Sequence, residues 1–384
     1  MTSSGSIRPL DGIRVVDMAG LVGAYGTRLL AALGAEVIKV EPPGGSRLRH
    51  LGPFVEGTDA PENSLWWAYM SMGTLSVVLD AHTSSGRAEL EALVRSADVV
   101  FNDEVAVDHE AILDDAPNIV WVSLTPFGLT GPKRDWSSSN LIAWAASGVL
   151  YTVGFADQPP VAPGGPAQLV MHSAALNGAI GAMLGLRGRR LTGSGQVIDI
   201  SLQEAGLVFA PETGVPVFLD DRVHRVRTGN RRELSRPFGI YPTSDGYVSI
   251  LVLMPRHWVA TARWIQEVTG NDTAVDPVFE DMTVRGETKE LVDSWVEELT
   301  TSMTSLEVFQ EGQRRGIPIT PVNTIQALMS DPHLDHVGYW QETDMPGGGT
   351  VSIPGAPFRT NANWWLTARA PRLGEHTEEI LGVL

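Results

Sequence analysis

The chain of 384 residues contains no cysteine. Disulfides, thiolate metal sites and cysteine nucleophiles are therefore excluded, so any nucleophile must be another side chain. Basic residues are also scarce: 28 Lys and Arg stand against 45 Asp and Glu, and the formal net charge is −17 at pH 7. This charge argues against nucleic acid or an anionic membrane as the main partner, although a local basic patch can still bind a phosphorylated ligand. The paired histidines His333 and His336 are too isolated to predict a metal site, and we expect no metal.

The amino-terminal residues lack a basic stretch followed by an apolar one, so the sequence predicts no secretory signal and a cytoplasmic protein. One charge-free segment, Leu169 to Leu186, is long enough to cross a bilayer. It contains polar side chains, however, and small residues recur every four positions on one helix face: Ala174, Gly178 and Ala182. We therefore expect a buried helix of a large core rather than a membrane span.

Apolar strand patterns alternate with helical patterns through residues 1–205, which is typical of a doubly wound parallel sheet. The pattern then changes. A hairpin signal at Asp245-Gly246 and helical patterns at 257–270 and 289–316 predict a smaller α+β unit. The predicted organisation is a large Rossmann-like domain (1–205), a linker (206–237), a small α+β domain (238–325) and a C-terminal segment that returns to the large domain (326–384).

The first unit of this pattern, residues 10–45, predicts a buried strand, a glycine-rich turn, an amphipathic helix and a second buried strand. Open α/β sheets bind ligands at such a turn. This block and several later motifs, in order, resemble the family III CoA-transferases, also called the CaiB/BaiF or formyl-CoA transferase family. The later motifs include Leu79-Asp80, Phe127–Pro132, Ala146-Ser147-Gly148, Thr192–Ala205, Tyr241-Pro242 and Gly316-Ile317-Pro318.

The resemblance implies an α/β fold, an interlocked dimer, and acyl-CoA and carboxylic acid substrates with CoA as the transferred group. It also implies an aspartate nucleophile that forms a mixed anhydride and then an aspartyl-CoA thioester. Counting back from Thr192-Gly193 without gaps places Met171 at that position, and a thioether cannot do this chemistry. His172 occupies the position if the alignment slips by one residue. Residues 167–175 contain no Asp or Glu.

Other positions also depart from the family pattern. A lysine that helps to hold CoA phosphates is replaced by Thr74, and a phenylalanine beside the nucleotide is replaced by Asp103, an acid that would repel phosphate. The histidine that the related acyl-CoA racemases use is replaced by Ser139. The resemblance leaves these positions as tentative CoA contacts: Val22, Gly23, Ala24, Arg49 and Asn102.

Two groups keep alternative interpretations. His172 is a tentative general base, because its ordinary pKa lies near neutrality, or else a hydrogen-bonded core or interface residue. Six arginines could bind CoA phosphates, or could pair with acids of the protein itself: Arg222, Arg225, Arg227, Arg231, Arg232 and Arg236.

The leading hypothesis is a non-nucleophilic subunit of a heteromeric acyl-CoA:carboxylate CoA-transferase, whose chemistry comes from a paralogue that keeps the aspartate. The chain would then form a homodimer or a heteromer with that paralogue. One alternative is an active acyl-CoA isomerase, racemase or lyase with His172 as base. Another is a non-catalytic binding or structural paralogue. The sequence alone does not decide whether the chain is an enzyme without a partner.

Overall fold

The computed structural model describes residues 7–55, 59–103, 107–162, 168–209, 227–232 and 235–384. Contacts divide the chain into two compact units. The first comprises Met1–Val149, Pro163–Val223 and His333–Leu384, and the second comprises Leu150–Ala162 and His224–Pro332. The domain boundaries given above stay predictions, and much of the predicted linker, at 210–226 and 233–234, lies outside the described residues.

One parallel sheet organises the first unit, with the strand order β3-β2-β1-β4-β5-β6. Its strands are β1 (Arg14–Met18), β2 (Glu36–Glu41), β3 (Leu75–Val78), β4 (Val99–Asn102), β5 (Val120–Thr125) and β6 (Gln196–Ser201). The central strands are rich in valine because helices cover both faces of such a sheet. This is the Rossmann order, which reverses direction between β1 and β4. The predicted Rossmann-like α/β class is therefore confirmed.

The helices that connect these strands are α1 (Ala24–Ala32), α2 (Leu65–Met70), α3 (Ser84–Arg95), α4 (His109–Asp115), α5 (Asn140–Ala146) and α6 (Leu169–Thr192), and α7 (Leu202–Leu207) follows the last strand. A buried network fixes the turn that leads from β1 into α1. The Asp17 carboxylate accepts hydrogen bonds of 2.6 Å from both Thr27 Oγ1 and Lys39 Nζ, and all three side chains are buried. Removal of either Asp17 or Lys39 would leave the other as an uncompensated buried charge.

The long helix α6 packs against α1, β5 and β6. A Cβ on Gly178 would lie 2.9 Å from Cε1 of Phe101, and one on Gly185 would lie 2.5 Å from Cγ1 of Val120. Small residues therefore let α6 approach its own sheet closely. The opposite side of α6 is apolar and exposed at Leu176, Ile180, Leu184 and Leu191. By length and composition this helix could cross a membrane, but 50% of its most apolar window is buried inside the structure.

The second unit contains an antiparallel sheet in the order β7-β8-β9. Its strands are β7 (Phe238–Pro242), β8 (Tyr247–Leu251) and β9 (Ile319–Pro321), and its helices include α8 (Pro255–Thr269), α9 (Met282–Glu287), α10 (Lys289–Thr301), α11 (Ser305–Arg314) and α12 (Ile325–Met329). The predicted helical stretch 289–316 is two helices, because Thr304 and Glu307 form a capping box that starts α11. Beyond this unit follow α13 (Pro332–His336), the hairpin β10 (Trp340–Asp344) and β11 (Thr350–Pro354), and α14 (Thr377–Leu381).

Candidate functional site

The turn after β1 already binds an anion that belongs to the chain itself. Gly20 N donates to Oδ1 of Asp103 at 2.6 Å, and Gly23 N donates to Oδ2 at 3.1 Å. Gly23 is the N-cap of α1, so the carboxylate lies at the positive end of the helix dipole. Asp103 follows β4, and the sheet order reverses between β1 and β4, which is where open sheets bind ligands. An internal carboxylate thus occupies a position suited to a phosphate.

Four of the tentative CoA contacts lie near this turn: Val22, Gly23, Ala24 and Asn102. Val22 precedes Gly23, the N-cap of α1, and Ala24 is the first residue of that helix, while Asn102 ends β4 beside Met18 of β1. Whether they contact CoA stays a prediction.

Arg49 has a different environment. It is fully buried, and its guanidinium donates from Nε and Nη2 to Glu41, at 2.7 and 2.8 Å, and from Nη1 to Glu62 at 2.9 Å. It also lies 3.6 Å above the ring of Trp67. Its donors are used within the protein, and a contact between Arg49 and CoA stays a prediction.

Helices α1 and α6 meet at a glycine. A Cβ on Gly26 would lie only 2.3 Å from the carbonyl oxygen of Ala175, so the two backbones are in direct contact. This contact brings Tyr25 of α1 beside His172 in the first turn of α6, with ring centroids 5.3 Å apart. Trp66 of α2 lies on the same imidazole, at 6.3 Å.

Met171 and His172 are both half-buried in the first turn of α6. Burial lowers the pKa of His172 below its ordinary value of 6.5, so the imidazole is neutral at pH 7. A neutral imidazole can accept a proton, whereas the thioether of Met171 can neither accept one nor form an anhydride. In the described ranges, no group of three or more His, Asp and Glu side chains is placed to hold a metal ion.

Arg28, one turn after Tyr25 on α1, was not predicted from the sequence. It is 2% exposed, and its guanidinium carbon lies 4.1 Å from the ring centroid of Tyr69 and 5.5 Å from that of Trp365. Nη2 donates to the sulfur of Met72 at 3.8 Å, while Nε has no hydrogen-bond partner. Burial lowers the pKa of Arg28, but a guanidinium stays protonated in proteins. The signal for Arg28 in the sequence is a charged residue directly before the apolar stretch Leu29–Ala32.

The described members of the arginine group are used structurally. Arg227 donates to the carbonyl oxygens of Tyr151, Phe155 and Gln158. Arg231 and Arg236 both pair with Asp293. Arg232 lies 5.8 Å from the ring of Phe238. Arg222 and Arg225 lie outside the described residues. The described arginines therefore favour the interpretation in which they pair with the protein itself.

The positions that depart from the family pattern also have local structural roles. Ser139 caps α5 by accepting a hydrogen bond from Ile142 N at 3.3 Å. Thr74 is buried and donates to the carbonyl oxygen of Ser71 at 2.8 Å. Neither side chain can supply the base or the cation that the resemblance implies at these positions.

Comparison with known proteins places these observations in one family. The model of CoA-transferase family III matches residues 10–377. The chain is 31% identical to the succinyl-CoA:(R)-benzylsuccinate CoA-transferase subunit BbsE of Thauera aromatica, over 96% of this chain and 92% of that one. It is also 31% identical to the succinyl-CoA--D-citramalate CoA-transferase of Chloroflexus aurantiacus, over 99% and 95%.

A solved structure agrees with the sequence comparison. The crystal structure of a CaiB/BaiF family protein from Brucella suis is 26% identical and superimposes with a TM-score of 0.86, covering 98% of this chain and 99% of that one. The match over nearly the whole length, the parallel sheet and the ordered motifs agree, and the chain belongs to CoA-transferase family III.

Proposed function

We propose that this protein is the non-nucleophilic subunit of a heteromeric acyl-CoA:carboxylate CoA-transferase. The observation that carries the proposal is Met171, in the first turn of α6, which counting back from Thr192-Gly193 predicts to be the position of the family nucleophile. The neighbouring sequence from 167 to 175 contains no carboxylate that could replace it. Relatives of this chain include subunits of CoA-transferases, which supports a role beside a second kind of chain.

The position of Asp103 supports the same role. Its carboxylate already accepts the two backbone N–H groups of the turn after β1, so a phosphate placed there would have to displace a negative charge held by two hydrogen bonds. Since an arginine or lysine cation is what usually favours phosphate, an aspartate in this place disfavours it. We therefore expect CoA to bind more weakly to this chain than to a nucleophile-bearing partner.

The exposed side of α6 supports assembly with another chain. Leu176, Ile180 and Leu184 are 40%, 50% and 65% exposed along one side of this helix. An exposed apolar helix side of this kind is typical of a protein–protein interface. We propose that the aspartate-bearing paralogue, or a second copy of this chain, covers it in an interlocked dimer.

One observation favours a second candidate. The neutral imidazole of His172 lies close to the rings of Tyr25 and Trp66, where it could remove a proton from an acyl-CoA as an isomerase, racemase or lyase. Such an activity would need no aspartate nucleophile, so it would belong to the chain alone and would disappear in His172→Gln.

The test is to purify the protein under native conditions, identify co-purifying chains by mass spectrometry, and treat the preparation with acyl-CoA followed by hydroxylamine. We expect the hydroxamate to come from a paralogous partner and none from this chain, because Met171 cannot form an anhydride. A matched control replaces the partner's aspartate by asparagine, which should abolish the signal.

Two results would decide against the proposal. An acyl or CoA adduct on any residue of this chain would show that it has its own nucleophile. Turnover of an acyl-CoA by the isolated chain, lost in His172→Gln and retained in Met171→Leu, would establish the second candidate instead.

A further inference from the structure

Three arginines are among the largest fully buried side chains of the described residues: Arg28, Arg49 and Arg285. The guanidinium groups of Arg49 and Arg285 donate hydrogen bonds to oxygen atoms of the protein. Arg49 binds the carboxylates of Glu41 and Glu62. The Arg285 guanidinium donates to the carbonyl oxygens of Arg236, Phe279 and Glu280, at distances of 2.6–3.0 Å.

Arg28 differs from both. In the part of the chain that the structure describes, it forms no ion pair, its Nη2 reaches only a thioether sulfur, and its Nε has no hydrogen-bond partner. The thioether belongs to Met72, and the neighbouring Ser71 is also fully buried, with an Oγ that has no hydrogen-bond partner. A buried charge without a counter-ion is strongly unfavourable, and such groups persist where function requires them. An anion supplied from outside would satisfy the guanidinium.

The surroundings of Arg28 indicate which anion. Tyr69 and Trp365 cover the guanidinium, and Tyr25 and Tyr339 lie close enough to interact with it electrostatically. One cation within aromatic walls neutralises one negative charge and favours an apolar tail. A carboxylate with a hydrocarbon or aromatic tail has both properties, whereas a phosphate carries more charge and requires more donors.

We propose that Arg28 binds the carboxylate of a free carboxylic acid whose apolar or aromatic tail packs against Tyr25, Tyr69 and Trp365. Tyr25 and His172 are both half-buried, and their ring centroids lie 5.3 Å apart, so this end of the cluster is the part that solvent reaches. The proposal deepens the proposed function, on which its choice of an acid rests: a subunit without a nucleophile still recognises the acid that receives CoA.

The test measures binding to the purified full-length protein together with any partner that co-purifies. The probes are 3-phenylpropionate and its uncharged match 3-phenylpropionamide, followed by calorimetry and by tryptophan fluorescence, since Trp365 contacts the site. We expect the acid to bind at least tenfold more tightly than the amide, and Arg28→Met or Arg28→Gln to abolish that difference. Inorganic phosphate and CoA are titrated in parallel, and their affinities should not change in either variant.

Thermal unfolding separates binding from a structural role. Arg28→Met should keep or raise the melting temperature without ligand, because it removes an unpaired buried charge. Arg49→Met, the matched control, should lower it strongly, because Glu41 is left unpaired. The acid should raise the melting temperature of the wild type and leave that of Arg28→Met unchanged.

Three results would overturn the proposal: equal affinities for acid and amide in the wild type, a loss of stability in Arg28→Met as large as in Arg49→Met, or a loss of CoA or phosphate affinity instead of acid affinity. None of these measurements depends on a nucleophile. An acyl adduct on this chain would therefore refute the proposed function but not the acid site at Arg28. Any of the three results above would refute the acid site but not the proposed function.

Discussion

Replacing Gly26 by alanine should destabilise this protein, although alanine is the better helix former. In an exposed helix the exchange stabilises by up to about 1 kcal/mol. Here the new Cβ would lie 2.3 Å from the carbonyl oxygen and 3.1 Å from the carbonyl carbon of Ala175. Both atoms belong to the backbone of α6, so no side-chain rotation can relieve the overlap. The two helices must move apart.

The size of the effect follows from these opposing contributions. Overpacking in a well-packed contact costs about 1–3 kcal/mol, and an overlap against backbone belongs at the upper end. After the gain in helix propensity, we expect the free energy of unfolding to fall by about 2 kcal/mol. With an unfolding entropy of about 2.1 cal/mol/K per residue, a chain of 384 residues should then melt about 2–3 °C lower. The separation should also loosen the contact between Tyr25 and His172.

Urea unfolding and scanning calorimetry of wild type and Gly26→Ala measure this change. The control is Gly44→Ala, where the added Cβ would have no heavy atom within 4 Å and should change stability by less than about 0.5 kcal/mol. A Gly26→Ala protein that melts higher than the wild type would show that α1 and α6 do not touch at this point. The account of how Tyr25 and His172 are brought together would then be wrong.

Two further predictions concern assembly and the turn after β1, which binds Asp103. Ile180→Glu combined with Leu184→Glu should weaken assembly, measured by light scattering, with little change in the melting temperature of the protomer. Gly178→Leu should instead unfold the protomer, because the new side chain would overlap the ring of Phe101. If the double variant unfolds the protomer and Gly178→Leu only weakens assembly, the interface lies elsewhere. Asp103→Ala should lower the free energy of unfolding in urea by about 1.5–3 kcal/mol, since two N–H donors lose a charged acceptor. The exposed Asp135→Ala is its control, and equal effects would refute the reasoning.

Much of the fold could be predicted because its signals are local. The first βαβ unit follows from an apolar run, a glycine turn and a helical pattern within residues 10–45, and the structure places β1, α1 and β2 there. The stretch 289–316 shows the limit. Its helical periodicity continues across a break at which Thr304, as N-cap, begins a new helix. The strand β9 is only three residues long and pairs with β8, which periodicity cannot detect in so short a segment.

In the candidate site, too, the features that depend on local sequence could be predicted, and those that depend on long-range contacts could not. The replacement of the nucleophile by Met171 could be predicted from the sequence because it depends on the identity of one residue at one spacing. The arrangement of Asp103 is not visible, because its partners Gly20 and Gly23 lie 83 and 80 residues away in the chain. Arg28 was missed for the opposite reason: its significance lies in the absence of a carboxylate partner among the described residues, which only the packing around it shows.

The neutral state of His172 leads to a prediction about acid stability. Burial holds its folded-state pKa below the value of about 6.5 in the unfolded chain. Below that pH the unfolded chain binds a proton that the folded chain does not, so the free energy of unfolding rises with pH in this window and falls on acidification. We therefore expect His172→Gln to lose less thermal stability than the wild type between pH 7.5 and pH 5.5. Calorimetry of both proteins across this range measures the difference, and parallel curves would show that the imidazole is as solvated in the folded protein as in the unfolded chain.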